Sequence, residues 1–312
     1  MFNRKRILLA TKLLLTGAAI LYFIFFLKNH LEKMPEIRLD SKFILCSCIS
    51  LILYSINIIL GGLNWSILLR DHNVKLSKTK IVHISSLTQF GKYLPGNVGH
   101  HFGRVFLAKG HSIPIAISLQ TIFTETVVLT ASGLSVGIFG LLYLKEIEYS
   151  NFLPYIIFLI GIIFLSIIAP KFVIPILNHN KFTWLRKLTG GEELQIPKFS
   201  TIPKVTLLNI ASFTNCGIIL YMIAWLIFDQ INQNIFFLIS IFTASWILGY
   251  ILPGSPAGLG IRDAALINGL STQYDSSVTL GIAIIFRFIC TIGDGIVFLI
   301  SWSLKKKYLD ND

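Results

Sequence analysis

Arg104 and Arg262 occupy the same place in a segment that the chain writes twice. The first copy, Gly91 to Arg104, reads GKYLPGNVGHHFGR, and the second, Gly249 to Arg262, reads GYILPGSPAGLGIR. Gly91 matches Gly249, Leu94-Pro95-Gly96 matches Leu252-Pro253-Gly254, and Arg104 matches Arg262, in one register without a gap. Pro95 and Pro253 lack an N–H, and Gly96 and Gly254 ease unusual backbone angles, so a helix breaks at each Leu-Pro-Gly and restarts beyond it. A restarted helix offers unbonded N–H groups and the positive end of its dipole. A guanidinium fork beside it matches a phosphate. With Lys92 and Asn97 in the first copy, these residues form a candidate site for an anionic headgroup. A competing reading pairs each arginine with a local acid, such as Asp263 next to Arg262, and both readings stand at this point.

Further charges lie inside apolar runs. Glu125 sits in the middle of Pro114–Leu144. Arg287 and Asp294 are seven residues apart in Ser277–Leu304, on one helix face. Each such charge costs about 2.5–3.5 kcal/mol at mid-bilayer on insertion scales, so each should face protein or water. The expected arrangement is a Glu125–Arg287 pair between helices, with Asp294 deeper or near the far interface. A helix-gluing ion pair and a substrate or proton role fit these residues equally. His100 and His101 point about 100° apart on a helix, which disfavours shared metal ligation. No metal and no cofactor are expected. No G-x-S-x-G, P-loop or dinucleotide fingerprint is present, so no catalytic residue is assigned.

The elements that must position these residues are membrane helices. Of 312 residues, 54% are hydrophobic and 13% charged, against about 25% charged in soluble domains; mean hydropathy is +0.72. The fold class expected is all-α: a polytopic helix bundle with two broken or re-entrant segments and an internal repeat. It forms a single membrane domain over residues 1–312, with halves near 1–150 and 151–312. Spans are read at Ile7–Leu27, Phe43–Leu69, Pro114–Leu144, Phe152–Ala169, Val205–Phe228, Ile235–Ile251 and Ser277–Leu304. Ile81–Ala108 holds Lys92, His100, His101 and Arg104, too much charge for a plain span, and so reads as a re-entrant hairpin or a broken helix lining a cavity. Ile7–Leu27 is longer than a signal-peptide core and lacks a cleavage site, so it is read as a retained helix.

The net charge of +12 follows the positive-inside rule, because the basic residues cluster between spans, and nucleic acid is not an expected partner. Lys171–Lys204 reads as a cytoplasmic connection, with a short interfacial helix at Phe182–Leu188. Arg4, Lys5 and Arg6 place the N-terminus in the cytoplasm, and Lys305–Lys307 places the C-terminus there too. Seven plain spans do not allow that, so an even count, eight crossings, is expected. The four cysteines read as small apolar packing residues.

LPGNVGHHFGR followed by a helix with Glu125, and LPGSPAGLGIRDAAL followed by a helix with Arg287, resemble the lysylphosphatidylglycerol synthase transmembrane family. This is the flippase-like membrane region of bacterial multiple peptide resistance proteins. That family often carries P-G-G-x-G-x-R-E where this chain has Pro253 to Asp263. The added small residues and Asp263 in place of glutamate are departures. The resemblance implies movement of a lipid between leaflets. The acetyltransferase-like domain that attaches the amino acid in two-domain relatives is missing from this sequence, so synthase activity is not expected. Three functions remain in view. The first is translocation of an anionic phospholipid or polyprenyl-phosphate-linked lipid for envelope biogenesis. The second is a membrane transferase on a lipid-linked sugar, with Glu125, Asp263 or Asp294 as acid or base. The third is a scaffold that meets envelope-assembly enzymes through Lys171–Lys204. Membrane lipids are the partners common to all three, and no oligomeric state is read from the sequence.

Overall fold

A computed structural model describes residues 37–94, 98–143, 153–179, 183–188, 191, 193–230, 234–251, 256–258 and 260–305. The expected first span, the tips at Pro95, Gly96 and Asn97 and at Pro253 and Gly254, and Lys306 and Lys307 lie outside the described residues. The described chain is all helical: α1 Ser41–Asp71, α2 Lys78–Thr88, a 3-10 turn Gln89–Tyr93, α3 Gly99–Gly110, α4 Ile115–Tyr143, α5 Leu153–Asn178, α6 Thr183–Leu188, α7 Ile202–Leu226, α8 Ile235–Ile251, a 3-10 turn Pro256–Gly258, α9 Ile261–Leu270 and α10 Ser276–Ser303.

Four of these helices are long and apolar enough to cross a membrane: α1, α4 over Ile115–Ile138, α7 and α10. Their starts are set by local chemistry. The Asp40 carboxylate caps α1 by accepting from the Phe43 N–H at 2.9 Å, satisfying one of the orphan donors of a first turn. Pro203 stands in the first turn of α7, where a missing N–H costs nothing. Large apolar side chains point outward along the bundle, among them Ile44, Ile52, Phe164 and Leu299, each at least 60% exposed. Such a belt suits a hydrocarbon surround.

Both interrupted segments fold back as antiparallel hairpins, and the glycines show it. A Cβ on Gly91 would stand 2.8 Å from the Gly99 carbonyl carbon and the His100 nitrogen, and one on Gly103 would stand 2.7 Å from Thr88. A Cβ on Gly249 would stand 2.7 Å from that of Arg262, and one on Gly269 would stand 2.8 Å from Ile241. Contacts that advance on one leg as they retreat on the other define antiparallel legs. Gly91 and Gly249, matched in the sequence, both stand where the legs come closest. The returning legs, α3 of 12 residues and α9 of 10, are about 18 and 15 Å long, short of the ~30 Å hydrocarbon core.

Two sequence boundaries move. The helix expected to end at Ala169 continues through Pro170 and Pro175 to Asn178. Burial of Ile174 against Leu194, and the Asn178 amide exchanging bonds with the Leu194 N–H and carbonyl at 2.8 and 2.9 Å, offset the helix cost of proline. The polar stretch before Asp275 is not all connection, since α9 occupies most of it. The main core joins α1, α4, α7, α8, α9 and α10 around Phe237, Phe286, Ile219 and Leu220.

Candidate functional site

A polar cavity of about 230 Å³ lies between the two hairpins, α1, α4, α7 and α10. Among the described residues, Lys92, Arg104, Arg262 and Arg287 all line it. Lys92 comes from the 3-10 turn that ends the first leg of hairpin one, Arg104 from α3, Arg262 from the first turn of α9, and Arg287 from α10.

Three of these cations have carboxylate partners. Lys92 Nζ lies 2.7 Å from Asp294 Oδ2 and donates to the Tyr54 hydroxyl at 3.0 Å. Asp294, fully buried, also accepts from the hydroxyls of Tyr54 at 3.2 Å and Tyr93 at 2.7 Å. A Cβ on Gly293 would stand 2.6 Å from the Tyr54 ring, so the missing side chain is what lets Tyr54 lie against α10. Arg104 Nη1 meets Glu125 Oε2 at 2.8 Å, and its guanidinium lies 5.4 Å from the centre of the Trp65 ring. Arg287 Nη1 lies 3.7 Å from Asp263 Oδ1 and donates to the Ala257 carbonyl at 3.2 Å. The other Asp263 oxygen accepts from the Gly260 N–H at 3.2 Å, closing the first turn of α9.

Arg262 is different. Among the described residues no carboxylate forms an ion pair with it. Its guanidinium lies against Phe242 and Phe286, 5.1 and 5.4 Å from the ring centres, and the two rings themselves meet edge to face at 5.4 Å. Cation–π attraction holds it there without cancelling its charge. Around the cavity, four cations therefore face three carboxylates. Arg104 Nε and Arg287 Nη2 are buried and lack hydrogen-bond partners among the described residues, so the paired arginines also keep a donor in reserve.

Over residues 8–297 the sequence matches the family described as Lysylphosphatidylglycerol synthase TM region. The chain belongs to that family. No curated protein and no solved structure matches it. Membership in the lysylphosphatidylglycerol synthase transmembrane family agrees with the four long apolar helices, and the chain is a membrane protein of a lipid-related family.

In this family member the site residues read from sequence largely come together. Lys92, Arg104, Glu125, Arg262 and Arg287 line one cavity, and Asp263 and Asp294 stand behind it as their partners. The pairing differs from the expected Glu125–Arg287 contact. Because hairpin one folds back, α3 packs directly on α4 and delivers Arg104 to Glu125. Arg287 turns instead to Asp263 beside the turn of hairpin two. The local-acid reading therefore describes Arg104. It does not describe Arg262, because Asp263 points away to Gly260 and Arg287. Asp294 is fully buried and sits in a shell of three donors. The His100 and His101 rings lie close together, centres 3.8 Å apart and planes tilted by 38°.

The amides and phenols of the wall did not stand out in the sequence. Tyr54, Asn57, Gly61 and Asn64 recur at helical spacing on α1 and all line the cavity. Asn209 and Cys216 do the same on α7. Polar residues at three- and four-residue steps within an apolar run are the signal that could have found them.

Proposed function

We propose that the protein is a lipid translocase. It moves an anionic phospholipid or a polyprenyl-phosphate-linked lipid between leaflets for cell-envelope biogenesis, and it is not an enzyme. The observation that carries this reading is Arg262, a cation on the cavity wall that rests against two phenyl rings and lacks a carboxylate partner among the described residues. Arg262 is half-buried; withdrawing an unpaired charge from water is costly, and an anionic headgroup in the cavity offsets that cost. The two hairpins act as re-entrant segments, and the cavity between their described legs carries the headgroup while the acyl or prenyl tails stay in lipid. Glu125, Asp263 and Asp294 are each engaged by a cation. That supports a structural role for them over acid–base chemistry.

Purified protein in liposomes should accelerate flipping of a labelled anionic lipid. Arg262→Ala should remove the acceleration while leaving the protein folded. A scaffold would tolerate the substitution. Failure of the wild-type protein to accelerate flipping of any anionic phospholipid or polyprenyl phosphate would overturn the reading.

A further inference from the structure

The part of the cavity wall away from Lys92 is neutral and amide-rich. Asn64 on α1 and Asn209 on α7 are 3% and 2% exposed and both line the cavity. Asn64 Nδ2 donates to Asn209 Oδ1 at 2.7 Å. That bond uses one donor and one acceptor, and leaves Asn64 Oδ1 and Asn209 Nδ2 buried without partners among the described residues. Buried polar atoms are satisfied in the great majority of cases, so an orphaned pair in a cavity wall marks a place for a ligand group. Exchanging the two amide ends swaps which residue supplies which atom, but always leaves one donor and one acceptor side by side.

A hydroxyl fits such a pair, because it donates to one atom and accepts from the other. The amide pair also stands next to a cation: Trp65, the residue after Asn64, carries the ring beneath the Arg104 guanidinium, and Arg104 Nε is itself unpartnered. A group that brings a phosphate to the cations and a hydroxyl to the amides satisfies both. An ammonium fits less well: it can donate to the orphaned acceptor but cannot accept from the orphaned donor, and among the described residues the three carboxylates around the cavity already hold cations.

We infer that the translocated headgroup is a phosphate-linked, hydroxyl-bearing and amine-free group, such as a glycerol or a sugar, and that Asn64 and Asn209 read its hydroxyl. This rests on the translocase reading and names the substrate class of the same cavity.

The test is lipid binding to purified full-length protein in detergent, measured by competition. Phosphatidylglycerol is set against phosphatidylethanol, which has the same charge and no headgroup hydroxyl, and against lysyl-phosphatidylglycerol, which adds ammonium groups. A polyprenyl-phosphate-linked glucose set against a polyprenyl ethyl phosphate asks the same question of the other lipid source. In at least one pair the hydroxylated lipid should bind about tenfold or more tightly than its partner, as expected when a buried donor and acceptor are left unmade. The pair that shows it identifies the source. Lysyl-phosphatidylglycerol should bind more weakly than phosphatidylglycerol. The double variant Asn64→Leu/Asn209→Leu should lose the preference and keep its affinity for the hydroxyl-free lipid, which also shows that it is folded. Equal binding within both pairs by the wild-type protein, tight binding of the lysylated lipid, or a preference that survives in the double variant would each overturn the inference. Absence of binding and flipping for every anionic lipid would instead overturn the translocase reading beneath it.

Discussion

At the scale of single residues, the site works by unequal pairing. Asp294 is held by Lys92 and two tyrosine hydroxyls, a set of bonds that leaves little freedom. Removing one partner of such a buried pair typically costs about 3–5 kcal/mol, because the other charge is left uncompensated. Lys92→Met should therefore lower thermal stability in detergent by an amount in that range, and Lys92→Met/Asp294→Leu should restore most of it. A double-mutant cycle by thermal unfolding checks this, and additive losses would contradict the pairing. Arg262→Lys keeps the charge but gives up the planar group that rests against Phe242 and Phe286, and Arg and Lys are not interchangeable at such an aromatic site. Liposome flipping should fall about tenfold or more in this variant with little change in stability. The charged residues of the site were legible because charge in an apolar run is conspicuous. Their partners were not: which carboxylate meets which arginine depends on how the hairpins fold back, and helical spacing says nothing about that. Asn64 and Asn209 stayed hidden because an uncharged amide barely alters the hydropathy of a long helix.

At the scale of elements, the glycine beside the turn of each hairpin sets the approach of its legs. Gly249→Ala would place a methyl 2.7 Å from the Arg262 Cβ, and relief requires the legs to part. Overpacking of this kind costs about 1–3 kcal/mol, and it also moves Arg262 off the Phe242 and Phe286 rings. The variant should lose flipping as well as stability. Gly295→Ala on α10 is the control, since no atom lies within 4 Å of the added Cβ; flipping rate and melting temperature should stay near wild type. Equal damage from the two substitutions would argue against the role given to the glycine beside the hairpin turn. The sequence showed where the helices stop, because proline and glycine mark breaks by their own geometry. It did not show that α5 runs on past Pro170 and Pro175, because there the packing of Ile174 and the Asn178 bonds outweigh the local cost.

At the scale of the whole molecule, the bundle joins the halves of the chain through charge. Hairpin one is tied to α10 through Lys92 and Asp294, and hairpin two to α10 through Asp263 and Arg287. α10 is thus a common post for both hairpins, and relative motion of the hairpins has to work against it. The 3.7 Å Arg287–Asp263 contact is the longer of the two ties and the one expected to open first. A cross-link between hairpin two and α10 should stop flipping, while one between hairpin one and α10 should be tolerated; the reverse result would reassign the moving part. That the chain is a helical membrane protein was legible from composition alone, because a bilayer demands long apolar runs. The direction of the chain ends still rests on the charge rule, and a reporter fused at residue 312 that works only in the cytoplasm is the expected result.

Lys92 and Asp294 are 202 residues apart, and that distance has a consequence for biogenesis. At about 5–20 residues per second of synthesis, Lys92 is made roughly 10–40 s before its counter-ion exists. Arg104 meets Glu125 only 21 residues later. During synthesis the first hairpin therefore carries an unmatched lysine that hydrocarbon does not tolerate well, and it must wait in the insertion machinery or at the membrane surface until α10 arrives. A chain truncated after Leu270 should be cleared rapidly by membrane proteolysis, and Lys92→Met in that truncated chain should lengthen its half-life in a pulse-chase measurement. α10 is then the helix that releases the first hairpin into the bilayer.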